Sequence, residues 1–116
     1  MIRDGGDPEY IRRIAEALKD RSRRSRLIVV CGGGSTARKY IDLARSTGAD
    51  EAVLDCVGIY ATRLNAYLMI SALGGSSYPK PFETIEDALA YSASHSIVVG
   101  GGTHPGHTTD AVAALI

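Results

Sequence analysis

A glycine-rich turn followed by hydroxyl and imidazole side chains is the stretch of this 116-residue sequence best suited to chemistry. The apolar run Ser96–Val99 ends in three glycines, Gly100–Gly102, which favours a buried strand that leads into a tight turn. The next seven residues, Thr103–Thr109, supply three threonines, two histidines, a proline and a glycine. Free backbone N–H groups and hydroxyl donors bind phosphate well, so this stretch predicts an anion site.

The residues after this loop predict a helix over 111–116, with Thr108, Thr109 or Asp110 as its N-cap. A strand that passes through glycines into a helix N-terminus directs the positive end of the helix dipole outward, which again favours an anion. The two histidines of the loop, His104 and His107, could also be metal ligands. Because no Cys, Glu or third His lies near them in the sequence, we expect no metal there.

A second unit of the same kind lies earlier in the chain. The apolar residues 27–31 predict a strand, and Gly32–Gly34 follow directly. In an open α/β sheet, ligands bind at the carboxyl ends of the strands. Two such turns in one crevice are therefore stronger evidence for a ligand-binding site than one turn. The helix predicted over 37–46 should begin near its N-cap candidates and turn apolar side chains inward: Ser35 and Thr36 as caps, and Tyr40, Ile41 and Ala44 in the core.

A long apolar helix is predicted over 57–73, buried or at a subunit interface. Its polar exceptions are Thr62, Arg63 and Asn65. Arg63 either pairs with a carboxylate or reaches a ligand. Asp55, placed just ahead of this helix, either accepts hydrogen bonds from ribose hydroxyls or caps the helix.

Two further helices complete the predicted architecture. Asp7 and Pro8 open the first, and Thr84 with Asp87 forms a capping-box pattern at the start of the other. His95 near the end of that second helix favours a contact with the helix dipole. Each helix should present one apolar face: Ile11, Ile14, Ala15 and Leu18 in the first, and Ile85, Ala88, Leu89 and Ser92 in the second.

Composition limits the class of protein. The length suits one domain, and 13 basic residues balance 13 acidic ones, so no overall field favours nucleic acid or an anionic membrane. The basic run over 19–26 fits a solvated helix end, or else a contact with an anionic ligand or a neighbouring subunit. Cys31 and Cys56 fit reduced packing thiols, and no signal-peptide pattern opens the sequence, so we expect a cytoplasmic protein.

Three stretches together resemble the archaeal type of uridylate (UMP) kinase, a branch of the amino acid kinase family. They are VVCGGGSTARKYIDLAR, then DCVGI with TRLNA over residues 55–66, and GGTHPGHTTDAVAAL. The resemblance implies a three-layer α/β/α sandwich with a largely parallel sheet, of which residues 1–116 form the UMP-binding part. It also implies phosphoryl transfer from ATP to UMP, a need for Mg²⁺, homo-hexameric assembly and a place in pyrimidine nucleotide synthesis.

The resemblance carries site residues over by matching position. Gly34 and Arg38 would lie near ATP, Arg63 and Asn65 would have a supporting role, and no residue would act as a covalent nucleophile. The residues that would contact UMP are Gly33, Asp55, Thr103, His104, Pro105, Gly106, His107, Thr108 and Thr109.

Members of this branch begin with an earlier strand carrying a Gly-Gly-Ser turn and continue beyond the position of Ile116. The sequence therefore corresponds to roughly half of a usual member. We expect either a fragment that is inactive alone or a chain completed by another chain, and in either case an oligomer. The alternatives are a nucleotide-binding or interaction module without kinase activity, and a carboxylate or carbamate kinase of the same family.

Overall fold

The computed structural model describes residues 8–102 and the backbone of 111–115. Four helices lie in this part of the chain, together with three strands and a short 3₁₀ turn, Gly74–Ser76. In chain order the elements are α1 (Pro8–Ser22), β1 (Arg26–Val30), α2 (Gly34–Ser46), α3 (Glu51–Leu73), α4 (Ile85–Ser92), β2 (Ile97–Gly100) and β3 (Ala111–Leu115).

The sheet has the strand order β2-β1-β3. Strands β1 and β2 are parallel, from Leu27 opposite Ile97 to Val30 opposite Gly100, as expected for two strands joined by a helical crossover. The segment before α4 extends the outer side of β2, since the Phe82 amide donates to the Val99 carbonyl at 3.0 Å. Because β1 and β2 are parallel, the turns that follow them leave the same edge of the sheet.

Successive side chains of a strand point to opposite faces of the sheet, and two apolar clusters result, one on each face. Leu27, Val29 and Cys31 face one side, together with Ile97 and Val99 of β2, and α1 and α3 cover them. On the other side, Val98 of β2 packs with Phe82 and with Ala88 of α4, which covers this face. This order of helix, sheet and helix is the expected three-layer α/β/α arrangement.

The predicted helix faces are confirmed in part. In α1 the residues Ile11, Ala15 and Leu18 are buried, with Ile14 partly so. In α4 only Ala88 and Ser92 are buried. The prediction was wrong for three apolar side chains, which stay more than half exposed: Tyr40 of α2, which packs on α3, and Ile85 and Leu89 of α4.

The predicted helix over 111–116 was also wrong, because residues Ala111–Leu115 form a strand. This strand pairs antiparallel with β1, from Arg26 opposite Leu115 to Val30 opposite Ala111. Five residues make little more than one helical turn, which has almost no stability of its own. Pairing instead satisfies the backbone groups along the free edge of β1.

The long helix α3 begins six residues earlier than its apolar pattern indicated. Asp50 is its N-cap, and the Asp50 carboxylate accepts a hydrogen bond from the Val53 amide at 3.0 Å. Asp55 therefore lies inside the helix, and the alternative that it caps the helix is wrong.

By length and composition alone, the segment Glu51–Ser76 could cross a membrane, a test that the core helices of globular proteins also pass. It packs against α1, α2 and β2.

Candidate functional site

The two triglycine turns lie side by side at the carboxyl ends of the parallel strands. The Cys31 amide donates to the Gly100 carbonyl at 2.8 Å, so the backbone pairing continues to the point where both turns begin. Gly32, Gly33 and all three glycines of the second turn are shielded from solvent. The sequence-based prediction that both turns meet in one place is therefore confirmed.

Helix α3 crosses both turns and bonds to each of them. Asn65 donates its amide group to the carbonyls of Gly32 and Gly33, at 2.9 and 3.1 Å. One helical turn earlier, the Thr62 hydroxyl accepts a hydrogen bond from the Gly102 amide at 2.9 Å. The same hydroxyl donates to the Ile59 carbonyl of its own helix at 2.6 Å. The apolar pattern of α3 gave no reason to place these two side chains at the turns.

Gly101 is required where it stands because the turn lies directly on α3. A Cβ at this position would lie 2.5 Å from the Thr62 hydroxyl oxygen and 2.9 Å from the Arg63 amide nitrogen. At Gly33 a Cβ would overlap the side chain of Ala37. Both turns therefore depend on glycine for close packing.

The N-terminus of α2 lacks the side-chain cap that α3 and α4 have. Its N-cap position is Gly33, and its first turn contains no acidic residue. By contrast, Asp50 caps α3, and Thr84 caps α4 through a 3.1 Å hydrogen bond from the Asp87 amide. Ser35 and Thr36 lie within α2, so their prediction as N-caps was wrong.

Gly34 and Arg38 stand one turn apart at this uncapped end. Gly34 has a φ of 55°, a left-handed conformation that glycine adopts without strain. The Arg38 side chain is exposed. An uncapped helix start beside an arginine is suited to an anion such as phosphate.

Asp55 is half-buried on α3, seven residues before Thr62 and on the same face of the helix. That spacing places it about 10 Å from Thr62 along the helix axis. Among the residues that the structure describes, its carboxylate has no hydrogen-bond or ion-pair partner.

Arg63 pairs with a carboxylate, the first of the two alternatives considered for it. Its guanidinium lies 3.4 Å from a carboxylate oxygen of Glu83 and 5.3 Å from the centre of the Tyr60 ring. Glu83 has no distinguishing pattern in the sequence. This pair joins α3 to the segment before α4.

The loop Thr103–Thr109 and the cap candidates up to Asp110 lie outside the described residues, and so does Asp7. The loop follows Gly102 directly in the sequence. Within the described part of the chain, no group of three or more His, Cys, Asp or Glu side chains lies close enough to hold a metal. Cys31 is buried and Cys56 is exposed, and neither forms a disulfide.

Comparison with known proteins gives consistent results. The family model described as the amino acid kinase family matches residues 1–116. The chain is 51% identical over 110 residues to a uridylate kinase of Methanococcoides burtonii, covering 95% of this chain and 47% of that protein. A uridylate kinase of Thermoplasma acidophilum is 48% identical over 114 residues, with coverage of 96% and 49%.

A solved structure also matches. The crystal structure of uridylate kinase from Archaeoglobus fulgidus superimposes with a TM-score of 0.84 at 44% identity, over 89% of this chain and 47% of that one. The chain thus spans about half the length of the relatives that it matches.

Proposed function

The chain belongs to the amino acid kinase family, and we propose that it forms the UMP-binding part of a UMP kinase, which transfers a phosphoryl group from ATP to UMP. The products are UDP and ADP, and the reaction serves pyrimidine nucleotide synthesis in the cytoplasm. Similarity to uridylate kinases over nearly the whole of this chain supports the proposal.

The observation that carries the proposal is the convergence of both glycine turns on the uncapped start of α2. The Ala37 amide is the first to bond within this helix, to the Gly33 carbonyl at 3.1 Å. The N–H groups ahead of Ala37 are those that a helix leaves unbonded at its start. Phosphate oxygens would satisfy them, and the helix dipole would favour the negative charge.

UMP would lie beside the turns and extend along α3 toward Asp55. Gly33 would allow close approach of the nucleotide, and Asp55 would accept hydrogen bonds from the ribose hydroxyls. The loop Thr103, His104, Pro105, Gly106, His107, Thr108 and Thr109 would surround the phosphate and base, which its position directly after Gly102 supports.

ATP would approach from the side of α2, near Gly34 and the exposed Arg38. The task of these residues is to bind and orient the two nucleotides, because phosphoryl transfer depends mainly on alignment and charge neutralisation. Mg²⁺ supplies charge neutralisation at the phosphates when bound. The phosphates of the nucleotides would supply ligands to the ion, as is usual for Mg²⁺.

We also propose a homo-oligomer. The α2–α3 side of the molecule carries large apolar side chains that remain exposed, among them Tyr60 at 64% and Leu64 at 61%. They border a groove of about 330 Å³ that Thr36 and Cys56 also line. A second copy would remove this surface from water. Sedimentation showing a compact monomer at micromolar concentration would contradict the assembly.

The test of the function measures nucleotide binding and turnover separately. Calorimetry should detect UMP binding, and a coupled assay of the complete gene product should detect ATP-dependent formation of UDP. Replacement of Thr108 and Thr109 together by alanine should weaken UMP binding at least tenfold, about 1.4 kcal/mol. Uridine, which lacks the phosphate, should lose much less. Equal losses for UMP and uridine would show that the loop does not hold the phosphate.

The same measurements separate the alternatives. Nucleotide binding without turnover in the complete gene product would indicate a binding module. Turnover of a carboxylate or carbamate in place of UMP would indicate the other kinase class. Failure to bind any nucleotide would reject the proposed function.

A further inference from the structure

We propose that Thr62 and Asn65 are positioning residues that hold the two triglycine turns in a fixed relation, so that the site is formed before a nucleotide binds. Neither side chain needs to touch a substrate in this role. The inference rests on the proposed function, because it concerns the turns that we assign to UMP and ATP.

The geometry of α3 makes this role specific. The two residues are three positions apart, so they lie on one face of the helix, and each bonds to a different turn. Backbone pairing between Cys31 and Gly100 joins the bases of the turns. Helix α3 thus spans two turns that already meet at the sheet. Neither turn can move away from α3 without breaking a buried hydrogen bond.

The donors and acceptors of each side chain allow its observed hydrogen bonds to form in only one direction. The Thr62 hydroxyl has one proton, which goes to the Ile59 carbonyl at 2.6 Å, so its oxygen is left to accept from the Gly102 amide. Asn65 faces two carbonyl oxygens, which only its NH₂ group can satisfy. Both side chains are at least 96% buried, Thr62 with 1% and Asn65 with 4% of its surface exposed. Water therefore offers no substitute, and the lost bonds would leave buried polar groups unpaired.

The two residues should affect the substrates differently. Between the two turns, the Thr62 hydroxyl bonds only to the one that leads into Thr103–Thr109, so loss of the hydroxyl should weaken UMP binding and leave ATP binding unchanged. Asn65 holds the turn that contains both Gly33 and Gly34, so its loss should weaken the binding of both nucleotides. General destabilisation of the fold would not separate UMP from ATP in this way.

The decisive variants are Thr62→Val, which keeps the shape but removes the hydroxyl, and Thr62→Ser, which keeps the hydroxyl. In the complete gene product, with any residues that flank this chain, we expect Thr62→Val to raise the Kd for UMP about tenfold. The Kd for ATP should change less than twofold, and Thr62→Ser should keep both constants within twofold of the parent. Asn65→Ala should raise both constants at least fivefold.

A readout without nucleotide accompanies the binding data. Hydrogen exchange at the Gly102 amide should accelerate at least tenfold in Thr62→Val and not in Thr62→Ser, while the Cys31 amide, bonded to Gly100, should stay protected in both. Unchanged exchange at Gly102 would overturn the inference, even if Asn65→Ala proved too unstable to study.

The outcomes distinguish this inference from the function on which it rests. If the parent binds UMP and Thr62→Val binds it equally well, only the positioning role is refuted. If Thr62→Val weakens the binding of UMP and ATP equally, the claim that the Thr62 hydroxyl acts on the UMP side alone is refuted. If the parent binds no UMP, the proposed function fails and the positioning role for that nucleotide fails with it.

Discussion

Substitution of Gly101 by alanine tests how closely the second turn packs on α3. The new methyl carbon would lie 2.9 Å from the Arg63 amide nitrogen and from the Thr62 carbonyl carbon. Ordinary contacts begin near 3.4 Å, so the turn must withdraw by about 0.5 Å to clear the helix backbone, and by about 0.9 Å to clear the Thr62 hydroxyl oxygen at 2.5 Å. The obstacle is helix backbone, which cannot rotate aside as a flexible side chain would. The 2.9 Å hydrogen bond from Gly102 to Thr62 would lengthen accordingly.

Two costs add in this variant. Overpacking of a tight core costs about 1–3 kcal/mol, and a buried amide without its partner costs about 1–3 kcal/mol. Withdrawal of the turn relieves part of the overpacking but breaks the hydrogen bond of the Gly102 amide. We therefore expect a loss of about 2–4 kcal/mol in the free energy of unfolding. With a denaturant slope of about 1.5 kcal/mol per molar urea, the unfolding midpoint should fall by roughly 1.3–2.7 M.

Gly75→Ala is the matched control, since a Cβ at Gly75 meets no heavy atom within 4 Å. Its free energy of unfolding should lie within about 0.5 kcal/mol of that of the parent. Urea unfolding followed by circular dichroism measures both variants. If Gly101→Ala unfolded at the same urea concentration as Gly75→Ala, the turn would not lie against α3 as described.

Three further predictions concern other parts of the chain. Asp50→Ala should lower the free energy of unfolding by about 1 kcal/mol, because the Val53 amide loses its cap; a urea midpoint equal to that of the parent would contradict this. Under native conditions, at concentrations where the proposed oligomer is dissociated, a thiol reagent should modify Cys56 quickly and Cys31 only on unfolding, and two fast thiols would show that the core around Cys31 is open. Asp55→Asn should weaken UMP and uridine by similar factors in calorimetry, because its proposed partner is the ribose; a loss confined to UMP would point to the phosphate instead.

Much of the fold could be predicted from local patterns. The β-branched runs that end in triglycine locate β1 and β2, because such patterns depend on neighbours in the sequence alone. The apolar stripe of α1 and the Thr84 cap of α4 follow from the same local rules. The convergence of both turns also follows, since parallel strands direct their carboxyl ends to one edge of the sheet.

Local patterns failed where backbone pairing or a cap earlier in the chain decided the outcome. Residues Ala111–Leu115 have an apolar composition that suits a helix, yet the open edge of β1 makes them a strand. Likewise, the Asp50 cap extends α3 backward through Asp55, although the apolar pattern becomes continuous only later. A short segment has too little intrinsic preference to resist such constraints.

The sequence by itself supplied the residues of the candidate site: two triglycine turns, a hydroxyl-rich loop and an acid near an apolar helix. Only the tertiary structure decided how these parts are held together. Nothing in a single sequence indicates that Thr62 accepts from an amide 40 residues away, or that Asn65 donates to carbonyls 32 and 33 residues away. Such partners are set by the packing of α3 across the sheet edge, where each buried polar group must find a hydrogen bond.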